Sequence, residues 1–315
     1  MLRSLVREAE KRNIVSHIIQ SLRRYWTENR LCRTDRLAKP LIDEIIASLI
    51  EQEHLPLFRF IEIETISRCN GGCSFCPVNR DNDPRPLRKM DNDLFLNIIE
   101  QLGDLQYEGT LSLYGNNEPL LDKRIFEFAT LTRERVPRAR LCMFTNGTLL
   151  TIDAFKRLIS VLDRLVIDNY SDTLTMHPNI REVADYWRDS QVPDKEVQII
   201  VRRETEVLTS RAGAAPNRKE IPPIQSSCLL PFTQMAVRPN GELGRCCADA
   251  LGTKILGDLS RQSILDAWHS EAYRKFRRRL QQGRQYDEMC IKCDMFVGPN
   301  YPKLNALPAY CSLEG

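Results

Sequence analysis

Apolar residues recur every three or four positions through the N-terminal part of the chain. Ile14, Ile18, Ile19, Leu22, Tyr25 and Trp26 share one such spacing, and Leu41, Ile42, Ile45, Ile46, Leu49 and Ile50 share a second. Residues 1–56 therefore predict a helical extension of two helices. From Phe58 the pattern changes. Phe60-Ile61-Glu62-Ile63-Glu64 predicts a strand, and further strands are expected over Thr110–Tyr114, Ala139–Thr145, Leu165–Asp168 and Val197–Val201. Between them, amphipathic runs predict helices over Leu94–Leu102, Arg124–Leu131, Phe155–Leu162 and His177–Trp187. Repeated βα units imply an α/β fold with a parallel sheet and helices outside it. In barrels of this kind, the loops after the strands carry the chemistry.

The pattern breaks at residues 210–227, SRAGAAPNRKEIPPIQSS, whose Pro, Ala, Gly and Ser content reads as a linker. Beyond it, Gln234–Val237 followed by Pro239-Asn240-Gly241-Glu242 predicts a hairpin, because Asn-Gly between strand-like runs favours a tight turn. The expected organisation is an extension at 1–56, a main domain at 57–209, a linker at 210–227 and a smaller domain at 228–315.

Composition narrows the classes. The 315 residues suffice for one large domain and a smaller one. Lys and Arg number 45 against 42 Asp and Glu, a balance that gives no reason to expect nucleic-acid or membrane binding. The basic run Arg274-Lys275-Phe276-Arg277-Arg278-Arg279 reads as the solvated face of an amphipathic helix, with Trp268, Tyr273, Phe276 and Leu280 on its apolar side. The N-terminus, MLRSLVREAEKRN, lacks the apolar core of a signal peptide. No apolar run approaches the roughly 18–20 residues of a membrane span. A cytoplasmic, reducing compartment is expected, where eleven cysteines read as metal-binding or catalytic. The four histidines are scattered singly, and neither a Gly-x-Ser-x-Gly elbow nor a P-loop lysine motif occurs.

The most informative run is Cys69-Asn-Gly-Gly-Cys73-Ser-Phe-Cys76, a C-x3-C-x2-C loop after the first expected strand. Three thiolates leave one iron of a [4Fe–4S] cubane without a protein ligand, and an open position marks a catalytic centre. Half of a zinc site, completed from elsewhere, is the alternative. Cys228, Cys246, Cys290 and Cys293 form a second set. Their spacing suits a closed four-cysteine zinc site and a [4Fe–4S] cluster alike. Cys247, beside Cys246, is either a free thiol that donates a hydrogen atom or an inert buried one. Cys32, Cys142 and Cys311 belong to no constellation.

With Phe75 directly before its third cysteine, the first loop resembles the signature of the radical S-adenosylmethionine (SAM) enzymes. The resemblance implies a partial (β/α)6 TIM-type barrel. Its first [4Fe–4S] cluster, held by Cys69, Cys73 and Cys76, would bind SAM at the open iron and cleave it reductively to a 5′-deoxyadenosyl radical. Gly241-x4-Cys246 and then Cys290-x2-Cys293 are similar to a shortened auxiliary domain (twitch, a truncated SPASM domain) and imply a second [4Fe–4S] cluster. Gly115-Asn116-Asn117-Glu118-Pro119 stands where the family has Gly-Gly-Glu-Pro, which holds the SAM amino group, so Gly115, Asn117 and Glu118 are candidates. Thr145 and Asn146 resemble the family's Thr-Asn-Gly segment near SAM, Asp168 falls where side chains meet the ribose, and Arg202 suits the SAM carboxylate. Arg211 is implied to contact substrate hydroxyls.

Similarity of cysteine spacing to the family's aminocyclitol dehydrogenases implies oxidation of a secondary alcohol in a sugar, aminocyclitol or polyol. The alternatives are epimerisation with Cys247 as hydrogen donor, modification of a peptide, and a non-catalytic zinc or electron-transfer protein. The implied reductant is of the flavodoxin or ferredoxin type.

Overall fold

The computed structural model describes residues 2–52, 55–190, 194–218 and 220–313, with side chains from Tyr25 onward. Its elements in order are α1 (Leu2–Ile50), β1 (Phe60–Ile63), α2 (Asn92–Asp104), β2 (Thr110–Ser112), α3 (Ile125–Arg135), β3 (Arg140–Thr145), α4 (Ile152–Val161), β4 (Arg164–Tyr170), α5 (Pro178–Asp189) and β5 (Glu196–Arg202). The C-terminal part adds α6 (Leu230–Thr233), β6 (Gln234–Val237), β7 (Glu242–Gly244), β8 (Gly257–Asp258), α7 (Ile264–Trp268), α8 (Glu271–Gln281), β9 (Phe296–Gly298), α9 (Pro302–Asn305) and β10 (Tyr310–Ser312).

Eight strands form one sheet in the order β5-β4-β3-β2-β1-β6-β7-β8. Strands β1 to β5 pair in parallel with their neighbours, and β6 joins in parallel on the other side of β1. β7 and β8 then turn back antiparallel. The fold is therefore α/β, a partial TIM-type barrel with a small C-terminal domain. The sheet runs across the division expected at residues 210–227, because the hairpin strand β6 extends the β1 edge.

The helices form for local reasons. Asp91 caps α2 by accepting from the Asp93 amide at 2.9 Å, and Thr151 caps α4 by accepting from Ala154 at 3.1 Å. Pro178 occupies the first turn of α5, where its missing donor costs nothing. Phe95, Ile98, Ile99 and Leu102 of α2 and Phe155, Leu158 and Ile159 of α4 are buried against the sheet.

Two expectations are corrected. The extension is one helix of 49 residues, not two, and it continues through Pro40. Burial of Leu31, Ala38, Ile42 and Ile46 against Ile224, Leu229, Phe232, Phe296 and Leu304 offsets the hydrogen bond that Pro40 cannot make. Tyr25 and Trp26 stand exposed, and the side chains of Ile14, Ile18, Ile19 and Leu22 lie outside those described. In the basic run, Arg277 is buried, not solvated. It donates to the carbonyls of Pro231 and Trp268, each at 2.8 Å, and lies over the Trp268 ring. Burial pushes its pKa down to about 10. Trp268 itself ends α7, the preceding helix. Among the described residues, no helix is long and apolar enough to cross a membrane.

Candidate functional site

The loop after β1 carries Cys69, Cys73 and Cys76 as free thiols. Asn79 folds it into a cup, donating from Nδ2 to the Cys73 carbonyl at 3.1 Å and the Cys76 carbonyl at 3.0 Å. The Gly71 amide donates to Cys69 Sγ at 3.3 Å. A Cβ on Gly71 would stand 3.5 Å from Cys69 Sγ and 3.7 Å from Cys73 Sγ, so the glycine leaves room between the sulfurs. Burial, then the charges of Glu118 and Cys76, lifts Cys69 to about 11, and burial, then the neighbouring Cys76 and Cys69, lifts Cys73 to about 12. A bound iron cation relieves that repulsion, so this donor set fits a cluster. Phe75 is buried and packs on Tyr170, with centroids 5.5 Å apart.

The loops after β2 and β3 meet this cup. The Glu118 carboxylate accepts from the Leu120 amide at 3.0 Å, the Thr145 hydroxyl at 2.7 Å and the Asn146 amide at 2.7 Å. It is fully buried, and burial lifts its pKa to about 7 against those three donors. Asn146 Nδ2 in turn donates to Asn70 Oδ1 at 2.8 Å and reaches Cys69 Sγ at 3.8 Å. Glu118, Thr145, Asn146 and Cys69 thus form one junction, in which the carboxylate joins loops to one another. Asn117 Oδ1 accepts from the Gly115 amide at 3.0 Å, while its Nδ2 is buried without a partner. That orphaned donor suits an acceptor group of SAM. Gly115 lets the backbone pass close to Glu64, whose Cβ would lie 3.3 Å from an added methyl. Asp168 and Arg202 face each other at 3.7 Å across β4 and β5. Burial raises the Asp168 carboxyl, and Arg202 opposes that rise.

The second cysteine set is braced by buried ions. Arg245, next to Cys246, pairs with Asp287 at 2.8 Å, and the same Asp287 oxygen accepts from the Met289 and Cys290 amides. Arg284 donates to the Cys293 carbonyl at 3.0 Å and the Met295 carbonyl at 2.8 Å. Burial comes first, and neighbouring thiols second, among the forces that raise Cys246. Cys246, Cys290 and Cys293 are buried and Cys228 is half-buried. Among the described residues, no three His, Cys, Asp or Glu side chains converge closely enough to grip a single metal ion. A cubane does not require that convergence, since each of its thiolates binds a different iron.

Between Cys76 and Cys247 lies a cluster of polar side chains around Arg211. Arg211 enters it from a turn in which Arg211 (φ 46°), Ala212 (φ 54°) and Gly213 (φ 87°) are all left-handed. Such strain in non-glycine residues persists only where the surroundings enforce it, and it gathers at functional sites. Arg211 Nη1 donates to Asn116 Oδ1 at 3.4 Å, and Asn116 Nδ2 donates to the Cys247 carbonyl at 3.1 Å. The Arg211 charge acts on Tyr114, Cys76, Cys247 and Tyr170, which places it between the first loop and the second. Asn116, replacing a family glycine, is what links them.

Sequence reasoning passed over Glu62, Tyr114, Tyr170 and Gln234, the neighbours of Arg211 and Cys247. Glu62 had a signal: strands of parallel sheets are buried on both faces and read as apolar, so a carboxylate inside β1 is out of place. Tyr114 and Tyr170 had none, since aromatic residues are ordinary in strands.

Residues 63–188 match the model of the radical SAM superfamily, and residues 228–294 match that of an iron–sulfur cluster-binding domain, SPASM. The S-adenosyl-L-methionine-dependent 2-deoxy-scyllo-inosamine dehydrogenase of Niallia circulans is 30% identical over 240 residues, 76% of this chain and 93% of that protein. The crystal structure of BtrN in complex with AdoMet and 2-DOIA is similar at TM-score 0.65 and 30% identity, over 76% of this chain and 93% of that one. SuiB of Streptococcus suis, bound to precursor peptide SuiA, shares the fold at TM-score 0.54 with 14% identity, over 79% of this chain and 72% of that one. Membership of the family brings SAM, a [4Fe–4S] cluster and an auxiliary iron–sulfur cluster as cofactors, and makes the chain an oxidoreductase. Its open cup of three cysteines, joined through Asn146 to Glu118 and facing a second braced set, is that of the family to which the chain belongs, the radical SAM superfamily with a C-terminal SPASM domain.

Proposed function

We propose that the protein oxidises a secondary alcohol of an aminocyclitol, or of a related sugar or polyol, to a ketone. Arg211 carries this reading. It is held in a strained turn, and its charge acts on Tyr114, Tyr170, Asp168, Cys76 of the first set and Cys247 beside the second. A guanidinium with several free donors suits a ligand rich in hydroxyls. The relative acting on 2-deoxy-scyllo-inosamine supports the same class.

In this reading Cys69, Cys73 and Cys76 hold the first cluster, and Cys228, Cys246, Cys290 and Cys293 hold the auxiliary one. Phe75, Gly115, Asn117, Thr145, Asn146, Asp168 and Arg202 surround SAM. Glu118 supports that site by fixing Thr145 and Asn146, since its oxygens already accept three hydrogen bonds. When bound, SAM and the cluster supply a 5′-deoxyadenosyl radical that removes a carbon-bound hydrogen. The chain orients the carbinol carbon and keeps water out. A flavodoxin- or ferredoxin-type protein supplies the electron.

The test is anaerobic turnover with SAM, a reductant and a panel of polyols that includes 2-deoxy-scyllo-inosamine. Ketone formation, with substrate deuterium recovered in 5′-deoxyadenosine, supports the reading. A panel without any ketone overturns it. A second reading rests on Cys247, which lies within reach of the charges of Glu62 and Arg211. If its thiol returns a hydrogen atom, the product is an epimer carrying one solvent-derived deuterium.

A further inference from the structure

Glu62 lies on β1 with 8% of its surface exposed, and its carboxylate makes no hydrogen bond. The register of β1 sets Glu62 between Ser112 of β2 and Ala236 of β6, at the centre of the sheet. Arg211 is the cation whose field reaches it, yet the two form no ion pair. Cys247, Tyr114 and Cys142 feel the Glu62 charge from the auxiliary loop, the end of β2 and β3. A buried carboxylate without a donor is costly, and the half-buried Arg211 guanidinium makes one weak contact. Each lacks what a hydroxyl between them supplies: a proton offered to the carboxylate and an oxygen offered to the guanidinium.

We infer that Glu62 and Arg211 grip the reacting hydroxyl of the substrate from opposite sides, and that Glu62 is the catalytic residue that takes its proton. This rests on the proposed alcohol oxidation and assigns that reaction its base. The substrate carbon gives its hydrogen atom to the 5′-deoxyadenosyl radical, which becomes 5′-deoxyadenosine. The carbon radical then gives one electron to an oxidant of the iron–sulfur class and its hydroxyl proton to the Glu62 carboxylate, and the C=O bond forms. Glu62 ends as the carboxylic acid and passes its proton to water. Burial, opposed by Arg211 and reinforced by Glu64, lifts the carboxyl to about 8, close to the working pH that suits a general base.

The experiment compares wild type, Glu62→Gln and Glu62→Asp, each with its clusters reconstituted, using 2-deoxy-scyllo-inosamine or whichever polyol of the panel the wild type oxidises. In Glu62→Gln the ratio of ketone to 5′-deoxyadenosine falls by about a hundredfold, while substrate deuterium still reaches 5′-deoxyadenosine. Glu62→Asp restores part of the ratio. A second readout needs no turnover: titration calorimetry of the unreduced protein in buffers of different ionisation enthalpy. At pH 7 the wild type releases a proton when the polyol binds, because the hydroxyl favours ionised Glu62, and Glu62→Gln releases none. An unchanged ketone ratio in Glu62→Gln, or proton release equal in both proteins, overturns the assignment. Wild type without any ketone overturns the alcohol oxidation on which it rests, and that failure is visible before the variant is compared.

Discussion

Ser210 and Asp294, 84 positions apart, are joined by three hydrogen bonds, one of them from the Asp294 amide to the Ser210 hydroxyl at 3.3 Å. The Ser210 amide donates to Asp294 Oδ1 at 2.8 Å, and its hydroxyl donates to the same oxygen at 3.0 Å. Arg218 pairs with the other carboxylate oxygen at 2.6 Å. Ser210 directly precedes the left-handed Arg211, and Asp294 directly follows Cys293. These bonds therefore fasten the strained turn to the loop of the auxiliary cysteines. Each left-handed non-glycine residue costs about 1–2 kcal/mol, so the turn relaxes when its fastening is removed.

Asp294→Ala should accordingly raise KM for the oxidised polyol by about tenfold, since a hydrogen bond to a charged group contributes about 1.5–3 kcal/mol. Asp294→Asn, which keeps an acceptor for Ser210, should recover most of the affinity. Substrate-free SAM cleavage should stay within about twofold in both, because the first cysteine loop is not touched. An unchanged KM in Asp294→Ala would show that the turn holds itself.

Asn116 gives a second, smaller prediction. Its side chain joins Arg211 to the Cys247 carbonyl, while its own carbonyl accepts from Arg85 at 2.7 Å, and Arg85 is itself paired with Glu64 at 2.9 Å. Asn116→Gly restores the family residue and removes only the bridge. Two neutral or weakly assisted bonds contribute about 1–2 kcal/mol, so kcat/KM should fall by about five- to thirtyfold with iron content unchanged. Steady-state kinetics on the reconstituted variant decides it.

Much of this was legible in the sequence for physical reasons. Strand β5 was expected at Val197–Val201 and runs Glu196–Arg202, because alternating β-branched residues leave little choice of structure. The first cysteine loop was legible because cluster chemistry fixes its spacing. Glu118 stands out in the sequence, but the sequence cannot show that Leu120, Thr145 and Asn146 all donate to it. The place of β6 beside β1 was hidden too: pairing across about 170 residues of intervening chain leaves no local mark. The strain at Arg211 was hidden because its left-handed backbone is held by the contacts of Ser210 with Lys292 and Asp294, far along the chain.

The two cysteine sets make a prediction about metal content. Cys69, Cys73 and Cys76 share no hydrogen bond with the second set, and Asp287 and Arg284 brace that set independently. After anaerobic reconstitution the native protein should hold about eight irons, and a variant with all three first-loop cysteines changed to alanine about four. The variant should retain an iron–sulfur absorbance and lose SAM cleavage entirely. Iron that falls to zero would mean a single cluster, and alcohol oxidation would lose its electron acceptor.

Glu62 also predicts how stability depends on pH. Its folded pKa of about 8 lies above the ordinary 4.5, chiefly through burial. Below about 4.5 the carboxyl is protonated in both folded and unfolded chains and has no effect. Between 4.5 and 8 the folded protein keeps a proton that the unfolded chain has released, so stability falls as pH rises, at up to about 1.4 kcal/mol per unit. Above about 8 the folded carboxyl is ionised as well and the loss is complete. Glu62→Gln removes this dependence and leaves those of Glu64 and Glu118, whose pKa values are each raised to about 7, in place. In urea unfolding of the unreduced holoprotein, the variant should therefore gain on the wild type by about 2 kcal/mol between pH 6 and pH 8, slightly more of it below pH 7 than above, where the folded carboxyl itself begins to ionise. A difference that stays constant over that range would mean that Glu62 is ionised throughout, with Arg211 or bound cofactor outweighing its burial. The alkaline rise in ketone formation expected of a base titrating near 8 would then be absent as well.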